Sequence, residues 1–384
     1  MHIGIIGSGH AGIEAAVAAR QAGAEATLFS AEEVLPYFRP RLVAVAMGQT
    51  ASEEIAMHPA AWYEERGIRL RLATPATALD VAARTIVAGG VAETFDALVL
   101  ACGALPRRPR FPGETPATPI YTLWSMTDAM AIRQQVRAGA RLVVMGGSSL
   151  GIECAWRACE QQLRVTLVEK LPHLMPQSLG AGAAGFLRQS LEGRGMTVHT
   201  GQGVASLAGR TDGATDLGLE DGTRLAADLI LVCIGAAPNL ALARGAGLAT
   251  GRGLQTDACL QAAPGVFVAG DVCEADKRPA RGAVREATAQ GRLAGANAVA
   301  CVAGGQLRPF QPVVVPGAVR CTGLEIYVAG VAGGEGLREE RLDEAGGRAG
   351  GYRAVVRHAD GRVAGVQMVG TREGFDALAG QIQA

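Results

Sequence analysis

Short apolar runs alternate with small-residue helical stretches along most of this chain, and two of those alternations share one layout. Residues 2–6 read as a buried strand, the Ala-rich stretch 10–22 as a helix, and residues 26–29 as the next strand. The same order returns near the middle: strand at 142–145, helix over 151–161, strand at 164–168. Further buried strands are predicted at 95–100, 229–233 and 265–271, and a long Ala/Gly-rich helix at 284–302.

Between each opening strand and its helix lies a glycine turn. The first is Gly7-Ser8-Gly9-His10-Ala11-Gly12 and the second Gly146-Gly147-Ser148-Ser149-Leu150-Gly151. In such a turn the first glycine permits the bend and the second lets backbone approach a pyrophosphate. The third allows close strand–helix packing, with the helix N-terminus facing the anion. One turn of this kind is a weak signal. Two, each following a strand and opening a helix, predict that one chain holds two dinucleotides, and the natural pair is a flavin and a nicotinamide.

The remaining pattern divides the chain. Pro106, Pro109, Pro112 and Gly113 form a stiff crossover, and Gly235 with Pro238-Asn239 marks the return. From residue 311 the pattern changes to short alternating strands at 324–328 and 352–356, a turn at Asp360-Gly361 and a strand at 363–369. Residues 333–350, rich in Gly, Glu and Arg, read as a mobile loop, and prolines 36 and 40 set residues 35–42 as an extended segment. The prediction is an α/β fold of two Rossmann-like three-layer dinucleotide-binding domains plus a small α+β C-terminal domain. Their expected bounds are 1–108 with 243–310, then 109–242, then 311–384.

Composition narrows the function. At 384 residues with 49% apolar side chains and zero formal net charge, the chain has no global pull toward nucleic acid. The first strand is predicted to begin at residue 2, so no signal peptide is expected. No apolar stretch of about 18 residues runs without Gly or charge, so no membrane span is predicted and a cytoplasmic location is expected. Eight scattered cysteines show no C-x-x-C pair and no zinc spacing, and the histidines are dispersed, so no metal site is expected. Cys154 and Cys159 have the C-x4-C spacing of some redox dithiols. Inside one helix, however, their Cα atoms would stand about 8–9 Å apart, and a bridge needs less than about 7 Å.

Several side chains carry candidate chemistry. The second strand of the first repeat ends in Ser30, where a carboxylate usually holds the adenosine ribose; beyond Ala31, Glu32 or Glu33 is left to reach it. Asp271, after Gly270 at a strand's carboxyl end, can accept a hydrogen bond from a sugar-alcohol hydroxyl, and the helix at 284, with Ala287 in its first turn, offers its positive end to reduced flavin. In the second turn Ser148 stands where a glycine is usual, small enough for close approach with looser binding. Glu169 can pair with both ribose hydroxyls of NADH and would repel a 2′-phosphate, favouring NADH over NADPH. Glu153 either serves the helix dipole or is a nicotinamide-side carboxylate. Lys277, Arg278, Arg281 and Arg285 form either a solvated rim or a docking patch for an acidic electron carrier.

Taken together these residues resemble the two-dinucleotide flavoproteins that include pyridine nucleotide–disulfide reductases and ferredoxin or rubredoxin reductases, with a glutathione-reductase-like fold. NADH:rubredoxin oxidoreductase and the flavin domain of nitrite reductase are the nearest in pattern. The motifs that carry the likeness are Leu35-Pro36-Tyr37-Phe38-Arg39-Pro40-Arg41-Leu42, Trp62-Tyr63 before Gly67-Ile68, Pro238-Asn239, Ala269-Gly270-Asp271 and Gln290-Gly291. The resemblance implies FAD on the first turn, with Arg39 and Arg41 near it, Ala76 touching adenine through its backbone, Ala101-Cys102-Gly103 beside it, and Asp271 on its ribityl chain. It implies NADH on the second turn and near Gly235. No cysteine precedes Cys102, so the dithiol and persulfide branch is disfavoured. Val43 and Ala44 occupy the place of a common lysine, which leaves Arg39 as the expected partner of Glu153. The resulting expectation is an FAD-dependent NADH oxidoreductase passing single electrons to a rubredoxin-like protein. Another acceptor (a ferredoxin, dioxygen, a nitrite reductase partner) or a redox-sensing role stays open.

Overall fold

Strand His2–Ile6 pairs in parallel with Glu25–Phe29 on one side and Ala97–Leu100 on the other. In the computed structural model, which describes residues 1–312, 315–342 and 351–382, that trio centres a six-stranded sheet. Ile68–Arg71 continues it in parallel at one edge; Val266–Val268 and the antiparallel strand Gln261–Ala263 complete the other. Ile3, Ile5, Leu28, Leu98 and Val266 are fully buried, as expected for a parallel sheet covered on both faces. Helix His10–Gln21 packs against helix Val284–Val302. Small residues set that approach: a Cβ on Gly291 would lie 2.2 Å from the Ala11 carbonyl, and one on Gly295 2.2 Å from that of Ala15. An antiparallel meander, Ala76–Asp80, Thr85–Ala88 and Val91–Thr94, adds Ile86 and Ala88 to the same core. These elements form one compact unit, Met1–Arg39, Ser52–Leu105 and 236–312.

The second unit, Pro40–Ala51, Pro106–Gly235 and the described residues from 315 onward, repeats the plan. Its parallel sheet has the order Thr197–Thr200, Arg164–Glu169, Arg141–Met145, Leu229–Val232, Ile120–Tyr121. Helices Ser149–Glu160 and Ala181–Gly193 accompany it, and Val204–Gly209, Thr215–Leu219 and Arg224–Ala227 form its meander. The proline segment differs from the expected extended run over 35–42. Tyr37 makes an isolated bridge to Ala56, Arg39–Arg41 is a single 3-10 turn, and Leu42–Ala46 is helical. Pro40 sits within that opening turn, where its missing N–H costs nothing. Gln49 then bridges Arg157 at 2.8 Å and Glu160 at 2.7 Å, tying the segment to helix Ser149–Glu160.

Within the second unit the C-terminal residues build a five-stranded antiparallel sheet. Its order is Gly317–Cys321, Leu324–Gly330, Val363–Val369, Tyr352–His358, Leu337–Arg341, with helix Phe375–Ala379 packed on it. Strand Leu337–Arg341 corrects the mobile loop expected over 333–350. Its Leu-Arg-Glu-Glu-Arg sequence has no apolar alternation, and its pairing with Tyr352–His358 makes it an exposed, charged edge. The rest of that expected loop, 343–350, lies outside the described residues. Trp156 Nε1 donates to the Thr322 carbonyl at 3.0 Å, linking this sheet to helix Ser149–Glu160.

Candidate functional site

The first glycine turn is sterically fixed at Gly7. Its φ of +106° and the Ala101 carbonyl, 2.1 Å from where a Cβ would sit, leave room for glycine alone. Gly12 lies against the Gly7 carbonyl in the same way, which brings helix and strand together. Gly9 is different. A Cβ there would meet nothing within 4 Å, and the residue begins helix His10–Gln21 with no side-chain cap. The turn thus presents an open backbone cradle beneath uncapped helix amides. His10, in the first turn of the helix, has a buried Nε2 with no hydrogen-bond partner, and burial lowers its imidazole pKa below the usual range.

At the end of the neighbouring strand, Ser30 is buried. It accepts from Ser8 Oγ at 2.8 Å and donates to the Glu32 carbonyl at 3.2 Å. Of the two acids left open by the sequence, Glu33 is exposed, whereas Glu32 is half-buried. The Glu32 carboxylate takes the Tyr37 hydroxyl at 2.8–2.9 Å and Arg39 at 3.5 Å. Thr74 and Ala73 donate backbone N–H groups to the carbonyls of Ser30 and Glu32, which draws the start of strand Ala76–Asp80 beside this strand end. Ala31 is exposed on the same turn. Arg41 falls in the second unit.

Ala101, Cys102 and Gly103 follow strand Ala97–Leu100, and Asn239 N–H donates to the Gly103 carbonyl at 2.9 Å. Burial pushes the Cys102 thiol up to about 12. Gly270 donates to Oε1 of the buried Gln290 at 2.8 Å and has Ala11 and Ala287 as near neighbours. Asp271 follows it, half-buried; burial raises its carboxyl pKa, Arg39 opposes the shift and Glu286 adds to it. Gly270, Ala287 and the helix that follows the first turn are therefore brought together.

The second turn copies the first. Gly146 has φ +108°, and its absent Cβ would lie 2.5 Å from the Cys233 carbonyl. Ser148 does more than stay small. Its hydroxyl donates to Cys233 O at 2.8 Å and accepts from Gly151 N at 3.2 Å, capping helix Ser149–Glu160. Glu169 is buried and accepts Gly147 N–H at 2.6 Å and Leu171 N–H at 2.8 Å. Lys170, beside it on the cleft wall, pairs with Glu220 at 3.0 Å. Outside these strand ends opens a cleft of about 560 Å³ that gathers Gly146, Ser148, Glu169 and Gly235. Gly147, Leu150 and Gly151 belong to the same turn but are not part of the cleft lining. Sequence reasoning missed Phe111, Leu171, Met175 and Ile234, which also line it. The signal was present for two of them: Leu171 and Ile234 are exposed apolar residues just beyond strand carboxyl ends, where ligands of such sheets collect.

Glu153 takes Arg157, one turn later on its helix, as partner at 2.9 Å, while Arg39 takes Glu32. Burial raises the Glu153 carboxyl pKa and Arg157 partly offsets that rise. Lys277, Arg278, Arg281 and Arg285 are all exposed. Among the described residues there is no group of His, Cys, Asp or Glu that could hold a metal. None of the described helices is long and apolar enough to cross a membrane.

The family model for pyridine nucleotide-disulphide oxidoreductases matches residues 1–291. The chain belongs to that family. It is 35% identical to a rubredoxin-NAD(+) reductase of Pseudomonas putida, over 67% of this chain and 68% of the relative. It is 37% identical to the ferredoxin reductase component of a chlorobenzene dioxygenase from a Cupriavidus species, over 70% of this chain and 66% of the relative. The aligned stretch thus spans about two thirds of these relatives. Among solved structures, the covalent putidaredoxin reductase–putidaredoxin complex superposes with a TM-score of 0.87 at 26% identity, covering 98% of this chain and 91% of that one. Membership makes the protein an oxidoreductase and implies FAD and NADH. The residues fit both: an open cradle at Gly9 with an orphaned buried nitrogen at His10, and an acid-lined cleft at Glu169.

Proposed function

We propose that this protein is an FAD-dependent NADH oxidoreductase that delivers single electrons to a small carrier protein of the rubredoxin type. The observation that carries the reading is the doubled glycine turn, with open backbone at Gly9 in one copy and a clamped acid, Glu169, in the other. When bound, FAD supplies a hydride acceptor that can release electrons one at a time. The chain supplies binding, orientation and charge. Gly7, Ser8, Gly9 and Gly12 shape the flavin cradle of a domain over 1–108 and 243–310, Asp271 receives a ribityl hydroxyl, and Glu32 is the ribose acid in place of Ser30. Ser148 and Glu169 hold the nicotinamide dinucleotide in a domain over 109–242. Glu153 and Arg39 are the candidate catalytic residues, Glu153 as the carboxylate beside the nicotinamide.

Two features support a carrier protein as acceptor. The two relatives above are named as reductases of rubredoxin and ferredoxin, and the four exposed cations Lys277, Arg278, Arg281 and Arg285 suit an acidic partner. Free thiols throughout and NADH use suit the cytoplasm. Steady-state turnover with rubredoxin, a ferredoxin and dioxygen at matched NADH tests the acceptor. Rubredoxin should give the highest kcat/KM, and Arg278→Glu with Arg281→Glu should lower it most at low salt. Faster turnover with ferredoxin or dioxygen would replace the acceptor, and negligible turnover with all three would favour a sensor.

A further inference from the structure

Strand Val363–Val369 runs Val-Ala-Gly-Val-Gln-Met-Val through the middle of the C-terminal sheet, and every residue in it is buried. One polar side chain interrupts it. A fully buried amide is costly unless both its carbonyl and its NH2 find partners. Gln367 finds them in two separate backbone segments: Oε1 accepts Gly180 N–H at 2.6 Å, and Nε2 donates to the Ala332 carbonyl at 2.9 Å. Gly180 is the residue from which helix Ala181–Gly193 starts, and it has no side-chain cap of its own.

The chain just before Gly180 is a wall of the cleft, through Met175, Pro176, Gln177 and Ser178. That wall is held at its front by Met175 N–H, which donates to the Gly147 carbonyl of the glycine turn at 2.8 Å. Met175 has φ +47°, a left-handed conformation that an unbranched side chain adopts only under constraint. Its carbonyl accepts the N–H groups of Ser178 and Leu179 at 2.8 Å, which closes the turn. The back of the wall is pinned at Gly180 by Gln367.

We propose that Gln367 is a positioning residue for the dinucleotide: from the C-terminal sheet it sets the cleft wall 175–178, and with it the affinity for NADH. This gives the C-terminal sheet a part in nucleotide binding. The inference rests on reading the cleft as the NADH site.

Gln367→Met keeps volume and flexibility but removes both hydrogen bonds. In the FAD-loaded protein it should raise the KM for NADH and the Kd for NAD+ by about fivefold, with kcat and flavin content unchanged. Val366→Ala, the neighbour on the same strand, should lower the melting temperature and leave that KM unchanged. A KM for Gln367→Met equal to that of the parent, or an equal rise in Val366→Ala, overturns the proposal. Hydrogen exchange on the unaltered chain gives a test that needs no variant. NAD+ should slow exchange in residues 175–180 and 363–369 together, and slowing confined to the glycine turn overturns it. If Glu169→Ala also leaves the KM for NADH untouched, the site assignment itself has failed; if Glu169→Ala raises it and Gln367→Met does not, only the role of Gln367 is lost.

Discussion

Glu169 Oε2 accepts the Gly147 N–H at 2.6 Å, so the acid ending one strand is clamped to the glycine turn that ends its neighbour. Its other oxygen takes Leu171 N–H at 2.8 Å. Two backbone donors therefore fix a buried carboxylate at the edge of the cleft before any nucleotide arrives, which lowers the ordering cost of binding.

Glu169→Ala should raise the KM for NADH by roughly tenfold, since hydrogen bonds to a charged group are the stronger class. It should raise the KM for NADPH less, because the repulsion of a 2′-phosphate goes with it. Steady-state kinetics with both nucleotides check this. A NADH/NADPH preference that does not change would remove Glu169 from nucleotide selection.

Gly9→Val separates folding from flavin binding. The position has φ −76°, which any residue adopts, and open space around the absent Cβ. The variant should fold, with circular dichroism like that of the parent, yet purify without yellow colour and resist reconstitution. Full flavin content would show that the cradle lies elsewhere. Asp271→Ala should lower flavin content in part, read by absorbance after desalting.

Asp228 and Arg141 give a pH test of the second unit. Arg141 makes two side-chain bonds to the carboxylate at 2.8 and 3.1 Å and a backbone bond at 2.8 Å, and these, Arg141's hydrogen bond foremost, hold the Asp228 pKa at about 2. A depressed pKa means the pair stabilises the fold above the ordinary aspartate value near 3.8 and ceases to do so as pH falls toward 2. Asp228→Asn should cost about 1 kcal/mol at pH 7 and flatten that acid limb. Urea melts of both proteins between pH 5 and 2 read it; parallel acid limbs would mean the pair contributes nothing.

The thiols should be silent. Burial pushes Cys102, Cys273 and Cys321 up to about 12, so none is a thiolate at neutral pH. Cys154 and Cys159 both lie in helix Ser149–Glu160 as free thiols, as the spacing argument required. Cys102→Ser and iodoacetamide treatment at pH 7.5 should leave activity within about twofold of the parent. Loss of activity with flavin retained would point to a thiol relay.

Both cradles were legible because their requirements are local. Gly7 and Gly146 answer first to their own positive φ, and the strand–turn–helix order is written in apolar periodicity; the Ala101 and Cys233 carbonyls that close the turns lie far along the chain. The parts that were not legible depend on distant partners. Ser148 was read for its size, but its hydroxyl bonds to Cys233, 85 residues away, and that is invisible in the turn itself. Leu337–Arg341 looks like a solvated loop until Tyr352–His358 supplies its hydrogen bonds. Glu153 meets Arg157 one turn along its own helix, the pairing that the simple i,i+4 rule names.

Anaerobic stopped-flow reduction of the FAD-loaded protein by NADH, followed by mixing with oxidised rubredoxin, asks most directly whether two nucleotide cradles suffice without a thiol. Rapid bleaching of the flavin absorbance near 450 nm by NADH, slower bleaching by NADPH, and full recovery of colour on adding rubredoxin are the predicted results. A folded protein that takes up no FAD, or a bound flavin that NADH leaves oxidised, would contradict it.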